Sequence, residues 1–453
     1  MWEQIRSNQT RTVIFIIGIG LLLVMCGCLI GMLFGVGLNL MFLFNGQVGR
    51  WGTGEFGITG MIIALIAWIV LSSVAYFRGD HILLTQAKAK KIEPEDLRRI
   101  YNIVEELKIS SGLDVTPSIY IIDDPALNAF SIGRDPKKSA IIMTYGLLTK
   151  LNRDELQGVI GHEMAHIKNR DVLLMTMCSV LLGTMIILSY YPYYMSWGET
   201  TITEQQLSRK KYSDLKNLRT IFISIFGGWI LILALPFGYS VSLALLIVFA
   251  CLSLILTPLT VGVLIGLPFI VVLIYYAISR RREYLADASS ALYTRYPEGL
   301  ASALEKIAAS TDQVMAASSA TAPIYIVNPF REPGMAASDM TSTHPPISER
   351  IRILRSMAHA SYAAYDRAYR EVRATGKSVI PATAIVGAGF APMRTALPDE
   401  LDHIQRARET SNVLWNLNNY KIINCPCGIR MRLPPKFKYT EVKCPHCGRM
   451  NPI

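Results

Sequence analysis

Residues 162–166 read His-Glu-Met-Ala-His. On a helix, His162 and His166 fall on one face, and both imidazoles can reach a single zinc ion. Glu163 stands beside the first histidine, placed to take a proton from a water that the ion polarises. The chemistry this spacing suits is metal-assisted hydrolysis. The chain has only seven histidines, so the pattern is more specific than two imidazoles on a solvated helix face, which is its other reading. A catalytic zinc needs a third protein ligand and an open position. The run Arg281-Arg282-Glu283-Tyr284-Leu285-Ala286-Asp287 offers one. Glu283 and Asp287 share a helical face, so Glu283 could bind the metal while Asp287 holds a histidine by its outer ring nitrogen. A solvated acidic face is the bland alternative for that pair. Its position, where an apolar stretch gives way to charge, favours the ligand reading.

The elements that must position these residues are legible around them. Leu156, Val159, Ile160, Met164 and Ile167 recur at three- and four-residue steps, the period of an amphipathic helix. Asn152 or Thr149 could cap it, and Asp154 and Glu155 suit its first turn. Upstream, Ser118–Ile122, Ala129–Ile132 and Ala140–Thr144 are apolar and β-branched, separated by turn residues at 123–125 and 133–136. They predict a small antiparallel sheet, either purely structural or offering an edge to which an extended peptide adds as a strand. Residues 93–112 predict an amphipathic helix whose face of Leu97, Ile100, Tyr101, Val104 and Leu107 packs in the core. Residues 310–343 read as a connection, a candidate lid.

Hydrophobic residues make up 51% of the chain and the mean hydropathy is +0.33, too apolar for an ordinary soluble domain. Val13–Phe34, Gly57–Phe77 and Val172–Trp197 are each long enough to cross a bilayer as a helix of about 20 residues. Residues 220–279 hold no charge. Ligands at 162–166 and 283 can meet only on one side of the membrane, so an even number of crossings lies between them. Pro236, Pro258 and Pro268 could divide the charge-free run into three, so the total is four or six. Arg6 and Arg11 before the first crossing, and Arg78, Lys88, Lys90, Lys91, Arg98 and Arg99 after the second, place the N-terminus and residues 78–171 in the cytoplasm. The basic loop 198–219 disagrees with that orientation. The net charge of +11 suits anionic lipid; no basic and aromatic groove motif or phosphate-binding glycine loop points to nucleic acid or nucleotide.

Taken together, these residues resemble the HtpX-like (M48-type) membrane zinc metallopeptidases. The resemblance covers roughly residues 1–355. It rests on Asn128-Ala129-Phe130, on Asn152-Arg153-Asp154-Glu155-Leu156 leading into His162–Asp171, on Arg282–Asp287, and on His344-Pro345-Pro346 followed by Arg350. It implies His162, His166 and Glu283 as zinc ligands and Glu163 as general base. It implies that His344 and Arg350 assist the transition state, and that the strand at Asn128, Ala129 and Phe130 pairs with the substrate backbone. Without the resemblance, a histidine before two prolines is more often just a loop residue.

The tail departs from that family's short form. Cys425-Pro426-Cys427-Gly428 and Cys444-Pro445-His446-Cys447-Gly448 look like the two knuckles of a zinc ribbon, with Cys425, Cys427, Cys444 and Cys447 as ligands of a structural zinc. A disulfide pair is the alternative, poorly suited to a cytoplasmic tail. His446 is spare, or replaces a thiolate. Cys26, Cys28, Cys178 and Cys251 fall in apolar stretches and read as small packing residues.

The expected protein is mostly α, a multi-pass membrane protein with a zincin-type α+β catalytic domain and a small C-terminal zinc ribbon. It is predicted to open with membrane helices (1–80), followed by the catalytic segment that carries the histidines (81–171). Further membrane helices (172–279) separate that segment from a second catalytic one holding the third ligand (280–374). A linker (375–420) and the ribbon (421–453) complete the chain. The expected activity is endopeptidase cleavage of misfolded or damaged membrane proteins at the inner or plasma membrane, with one catalytic and one structural zinc. The expected partners are polypeptide substrates and lipid, with no nucleic acid. A processing peptidase of the prenyl-protein type and a non-catalytic zinc-binding scaffold are the alternatives; an intact Glu163, Glu283 and His344 speaks against the scaffold.

Overall fold

The computed structural model describes residues 2–44, 52–181, 183–184, 280–315, 317, 321–329, 344–386, 391–398 and 401–453. Among these residues the chain is mostly helical, with three small sheets. It begins with a hairpin of two long helices, α1 (Trp2–Phe44) and α2 (Thr53–Gln86), each long and apolar enough to cross a membrane. Ile14, Leu21, Ile63 and Phe77 are each more than half exposed on them, a surface suited to lipid. The two helices touch backbone to backbone: a Cβ on Gly60 would stand 2.1 Å from the carbonyl oxygen of Gly27. Small residues permit that approach in a medium where apolar burial drives no helix association.

Of the third apolar stretch, Val172–Leu181 is helical. Most of its remainder, the loop 198–219, the run 220–279 and Cys251 lie outside the described residues, and the choice between four and six crossings lies there too.

The predicted sheet forms, with a different topology. It has four strands, in the order β1 (Lys90–Lys91), β2 (Ser118–Ile122), β4 (Lys138–Thr144), β3 (Ala129–Asp135). β2 and β4 run parallel, while β3 pairs antiparallel with β4. The expected all-antiparallel sheet is therefore corrected to a mixed one. The β3–β4 hairpin folds back so that β4, not β3, inserts beside β2, and β1 is too short to show in the pattern. Both faces of the sheet are covered. Ile119, Ile121, Ile141 and Met143 face a core shared with α3 (Arg98–Ser111), while Ile122, Phe130, Ile132 and Ile142 face one shared with Leu83, Leu174 and Met175. Strands buried on two faces read as unbroken apolar runs, as these do. Of the predicted face, Leu97 at the N-cap of α3 and Ile100, Val104 and Leu107 within it are in the core, and Tyr101 packs against it partly buried.

The His-Glu-Met-Ala-His run lies in α5 (Arg153–Lys168), after the short α4 (Tyr145–Lys150). Asn152, not Thr149, caps α5. Its side chain accepts from Glu155 N while Glu155 Oε2 accepts from Asn152 N, both at 2.9 Å, a reciprocal capping box. After α6 (Val172–Leu181), α7 (residues 280–294) carries the second candidate ligand run, followed by α8 (Pro297–Ala309), α9 (Ile347–Arg355) and α10 (Tyr362–Arg373).

Residues 375–420, expected as a linker, contain α11 (Ala382–Val386) and α12 (His403–Leu417). Val413 and Leu414 of α12 sit in the core shared with α3 and α5, and Asp402 with Gln405 makes a second capping box. The Gly, Pro and Ala content suggests a coil; burial of one apolar face and a good N-cap make part of it helix. The chain ends in two hairpins, β5 (Lys421–Asn424) with β6 (Arg430–Leu433) and β7 (Glu441–Lys443) with β8 (Met450–Pro452).

Candidate metal centre

Helices α5 and α7 cross where α5 carries glycine. Ser290 Oγ donates to Gly158 O at 2.7 Å, and a Cβ on Gly161 would stand 3.0 Å from Ser290 Oγ. This close crossing brings one turn of each helix, and with them His162, His166, Glu283 and Asp287, into one buried pocket. His162 and His166 present their Nε2 atoms to each other at 3.2 Å. Glu283 offers one oxygen to each: Oε2 is 3.5 Å from His162 Nε2 and Oε1 is 3.6 Å from His166 Nε2. Ligands at 2.0–2.2 Å around a tetrahedral zinc stand about 3.3 Å apart, so the three donors fit the corners of one face of such a site.

The outer nitrogens are both held by carboxylates. His162 Nδ1 donates to Asp287 Oδ1 at 2.9 Å, and His166 Nδ1 donates to Asp171 Oδ2 at 3.1 Å. That bonding fixes each ring with its Nε2 lone pair turned inward, the tautomer a metal needs. Glu283 Oε2 is buried and lacks a well-formed hydrogen bond among the described residues, with His344 Nδ1 3.3 Å and Arg350 Nη1 3.9 Å away. An acceptor left this way is costly unless a cation faces it. The residues present therefore fit zinc.

The electrostatics agree. Burial opposes charge on His166, but Asp171, and after it Glu283 and Glu163, push its pKa up to about 9. Burial likewise opposes charge on His162, and Asp287 with Glu283 still raises its pKa. Burial would raise Glu283, yet His344, His162 and His166 hold it well below the usual carboxylate range. The pocket favours positive charge at its centre. Glu163 differs: burial pushes its carboxyl up, against the pull of the histidines and of Ser131, whose Oγ donates to Glu163 Oε2 at 2.7 Å.

Two residues expected from family likeness also come to this pocket. His344 Nδ1 stands 3.3 Å from Glu283 Oε2. Arg350 is fully buried; its Nε and Nη2 donate to the two oxygens of Asp287 at 2.8 and 2.6 Å, and its Nη1 donates to Ile326 O at 3.1 Å. Its donors thus act on the carboxylate behind His162. Burial would raise the pKa of Asp287, but the guanidinium lowers it and keeps the carboxylate ionised.

Asn128, Ala129 and Phe130 lie at the sheet edge, but the chain already covers that edge. Ile326 N donates to Ala129 O and Asn128 Nδ2 to Val327 O, both at 2.9 Å, and Phe130 bridges to Tyr325. Since Thr144 N donates to Asn128 O, alternate residues Ala129, Ser131 and Gly133 turn their backbones outward. Gly133 N is taken by Thr176 Oγ1 at 3.2 Å. Ser131 follows Ala129 on this outer edge, where the bridge from Phe130 to Tyr325 brings Ile324 alongside it, and its hydroxyl turns to Glu163.

Sequence reasoning assigns no role to Asp171 or Ser131. Asp171 reaches His166 only because Arg170 adopts a left-handed turn, φ 56°, after the helix; a carboxylate just past a histidine-bearing helix end is its sole trace. Ser131 sits on a strand, where nothing in spacing relates it to α5.

In the tail, the two knuckles fold alike. Gly428 N donates to Cys425 O at 2.9 Å and Gly448 N to Cys444 O at 3.0 Å, with both glycines at positive φ (90° and 74°), which only glycine adopts without strain. The four cysteines are free thiols with sulfurs within 4.8 Å of one another. Cys425 and Cys447 are 3.5 Å apart and Cys427 and Cys444 3.6 Å, near the roughly 3.8 Å edge of a tetrahedral zinc–sulfur site. Amide donation, first from Cys447, draws the Cys444 thiol down to about 6, toward the thiolate that binds metal.

Comparison with known proteins agrees with this geometry. The sequence pattern of peptidase family M48 matches residues 94–358, more than half of the chain. A "Protease HtpX homolog" of Dictyoglomus turgidum is 40% identical over 303 residues, covering 67% of this chain and 84% of the relative. One from Caldanaerobacter subterraneus subsp. tengcongensis is 36% identical over 358 residues, 79% of this chain and 98% of the relative. One from Thermococcus sibiricus is 35% identical over 302 residues, covering 66% and 87%.

Proposed function

The chain belongs to peptidase family M48 and is a membrane metalloendopeptidase; from that premise we propose that it cleaves misfolded or damaged membrane proteins at a zinc held by His162, His166 and Glu283. The observation that carries the ligand set is the pair of inward Nε2 atoms 3.2 Å apart, each ring fixed from behind by its own carboxylate. When bound there, zinc supplies a Lewis acid and an acidified water. Glu163 takes the proton, and its raised affinity for it suits passing it on to the departing amine. Ser131 holds the Glu163 carboxylate in one orientation. His344, beside Glu283, is placed to donate to the developing oxyanion. Arg350 acts through Asp287 on His162, as a positioning residue rather than one that touches substrate.

An extended substrate would add to this outer edge at Ala129–Ser131, beside Glu163, in exchange for the segment 324–327 that lies along it. Main-chain pairing of that kind reads backbone more than sequence, as degradation of varied misfolded chains requires.

The orientation has structural support. Asn8 Nδ2 donates to Asn169 O at 2.9 Å, so the first turns of α1 lie against the end of the catalytic helix. That contact supports the N-terminus and the catalytic domain sharing a side, and the basic residues flanking the hairpin favour the cytoplasm as that side. The second metal in this reading is a structural zinc on Cys425, Cys427, Cys444 and Cys447.

The test is cleavage of casein by detergent-purified full-length protein, wild type against Glu163→Gln, with zinc counted in both. The expected result is a kcat lower by about 10²–10⁴-fold at unchanged zinc content. Equal loss of metal would show that Glu163 builds the site instead of serving as its base.

A further inference from the structure

The stretch matching the family ends at residue 358, yet the chain beyond it returns to the two helices that carry the candidate ligands. Arg394 is the centre of that contact. Its backbone N donates to Arg295 O and its Nε to Thr294 O, both at 3.0 Å. These are carbonyls at the C-terminal end of α7, where intrahelical donors run out and positive charge is favoured. Its Nη2 donates at 2.7 Å to both Asp154 Oδ1 and Gln157 Oε1, in the first turns of α5. The guanidinium also lies over the Tyr296 ring, 4.8 Å from its centre. Leu397 N completes the contact by donating to Asp154 Oδ2 at 2.9 Å.

One side chain thus ties the end of the helix bearing Glu283 and Asp287 to the start of the helix bearing His162 and His166. At 1.5 Å per residue, Asp154 lies about 12 Å from His162 along α5, and Thr294 about 10 Å from Asp287 along α7. Between tie and ligands the helices cross at Gly158 and Ser290. The tie and the metal face therefore lie on either side of a pivot. The other end of α7 is gripped as well, Arg281 Nε donating to Val379 O at 3.1 Å. Val379 in turn is held by the buried Asp366.

We propose that residues 391–398 are a brace that sets the angle between the two ligand-bearing helices, with Arg394 as its positioning residue, so that retention of the catalytic metal depends on a segment outside the shared family stretch. The proposal rests on the reading of His162, His166 and Glu283 as ligands.

The experiment uses the full-length protein and follows zinc transfer to a chromophoric chelator, taking as catalytic the phase absent from His162→Ala. Arg394→Ala should release that zinc about tenfold faster, the lower end of what outer partners of metal ligands contribute. Its kcat should fall at unchanged KM. Arg394→Lys keeps the charge between Asp154 and the end of α7 and should recover part of both. Arg355→Ala, which removes an exposed pairing with Glu298 and Glu305, is the control and should leave both unchanged. If Arg394→Ala lowers only thermal stability, as a surface arginine would, the brace is refuted. If Arg394→Ala does not fold, Leu397→Pro removes one donor to Asp154 and should shift zinc release in the same direction; wild-type release there refutes the proposal equally. If His162→Ala loses no zinc, the ligand set itself is wrong and the brace falls with it.

Discussion

The two candidate metal sites of this chain are built in opposite ways. At the first, donors from α5 and α7 meet inside a core of packed helices and a sheet buried on both faces, and each histidine is fixed by a carboxylate behind it. At the second, four cysteines sit on two short hairpins whose buried cluster is Cys425, Met431 and Cys444, flanked by Ile423, Ile429 and Val442. The fold makes the first site and can exist before a metal arrives. At the second there is too little apolar surface to hold the hairpins, and the metal takes the place of a core. In the proposed reading, one chain uses the same ion for chemistry in one place and for folding in another.

The contrast is sharpest where metal is removed. Replacing Cys425 and Cys444 together by serine should remove one zinc per chain and release residues 421–453 to fast hydrogen exchange, since structural zinc supplies about 10–16 kcal/mol to modules of this kind. The catalytic domain should keep its protection and its own zinc. A ribbon still protected without metal would end the distinction between the two sites. A smaller effect is expected behind His166. Asp171→Asn should weaken the catalytic zinc by about 10–100-fold, read by chelator competition, and leave the cysteine site as it was. Unchanged affinity would mean that Asp171 does not orient the ring. The smallest effect belongs to the element joining the two regions. Asp402→Ala removes the cap of α12 and should cost about 1 kcal/mol, visible as faster exchange in that helix with both zinc sites intact. Loss of zinc at either site would show that α12 couples them.

What is legible in the sequence follows the range of the forces involved. The helix of His162 and His166, its cap at Asn152, the apolar face of Leu97, Ile100, Val104 and Leu107, and three of the four strands of the main sheet all depend on neighbours within a turn or a pleat. Strand order is not legible. That β4 lies between β2 and β3 depends on which strand edges the packed helices leave to pair, and no local period records it. Ser131 and the Tyr325–Val327 segment are hidden for the same reason, since both act across the sheet edge. The helical content of 375–420 is masked by composition, because glycine and proline at its start outweigh the Asp402 cap and the buried Val413 and Leu414 further on.

By itself the sequence determined the chemistry of the donors: two imidazoles four residues apart, a carboxylate beside them, a second acidic pair, and two thiol knuckles each ending in glycine. Those patterns are fixed by helix geometry and turn sterics, which act over a few residues. Only the tertiary structure decided which groups meet. It brought Glu283 to the two histidines, put Arg350 behind Asp287, turned Asp171 back onto His166, covered the edge at Ala129 with Ile326, and laid Arg394 across two helix ends. The physical reason is that such distances are set by the packing of whole helices against a sheet, and a change of a single contact such as Gly158 against Ser290 would move every one of them.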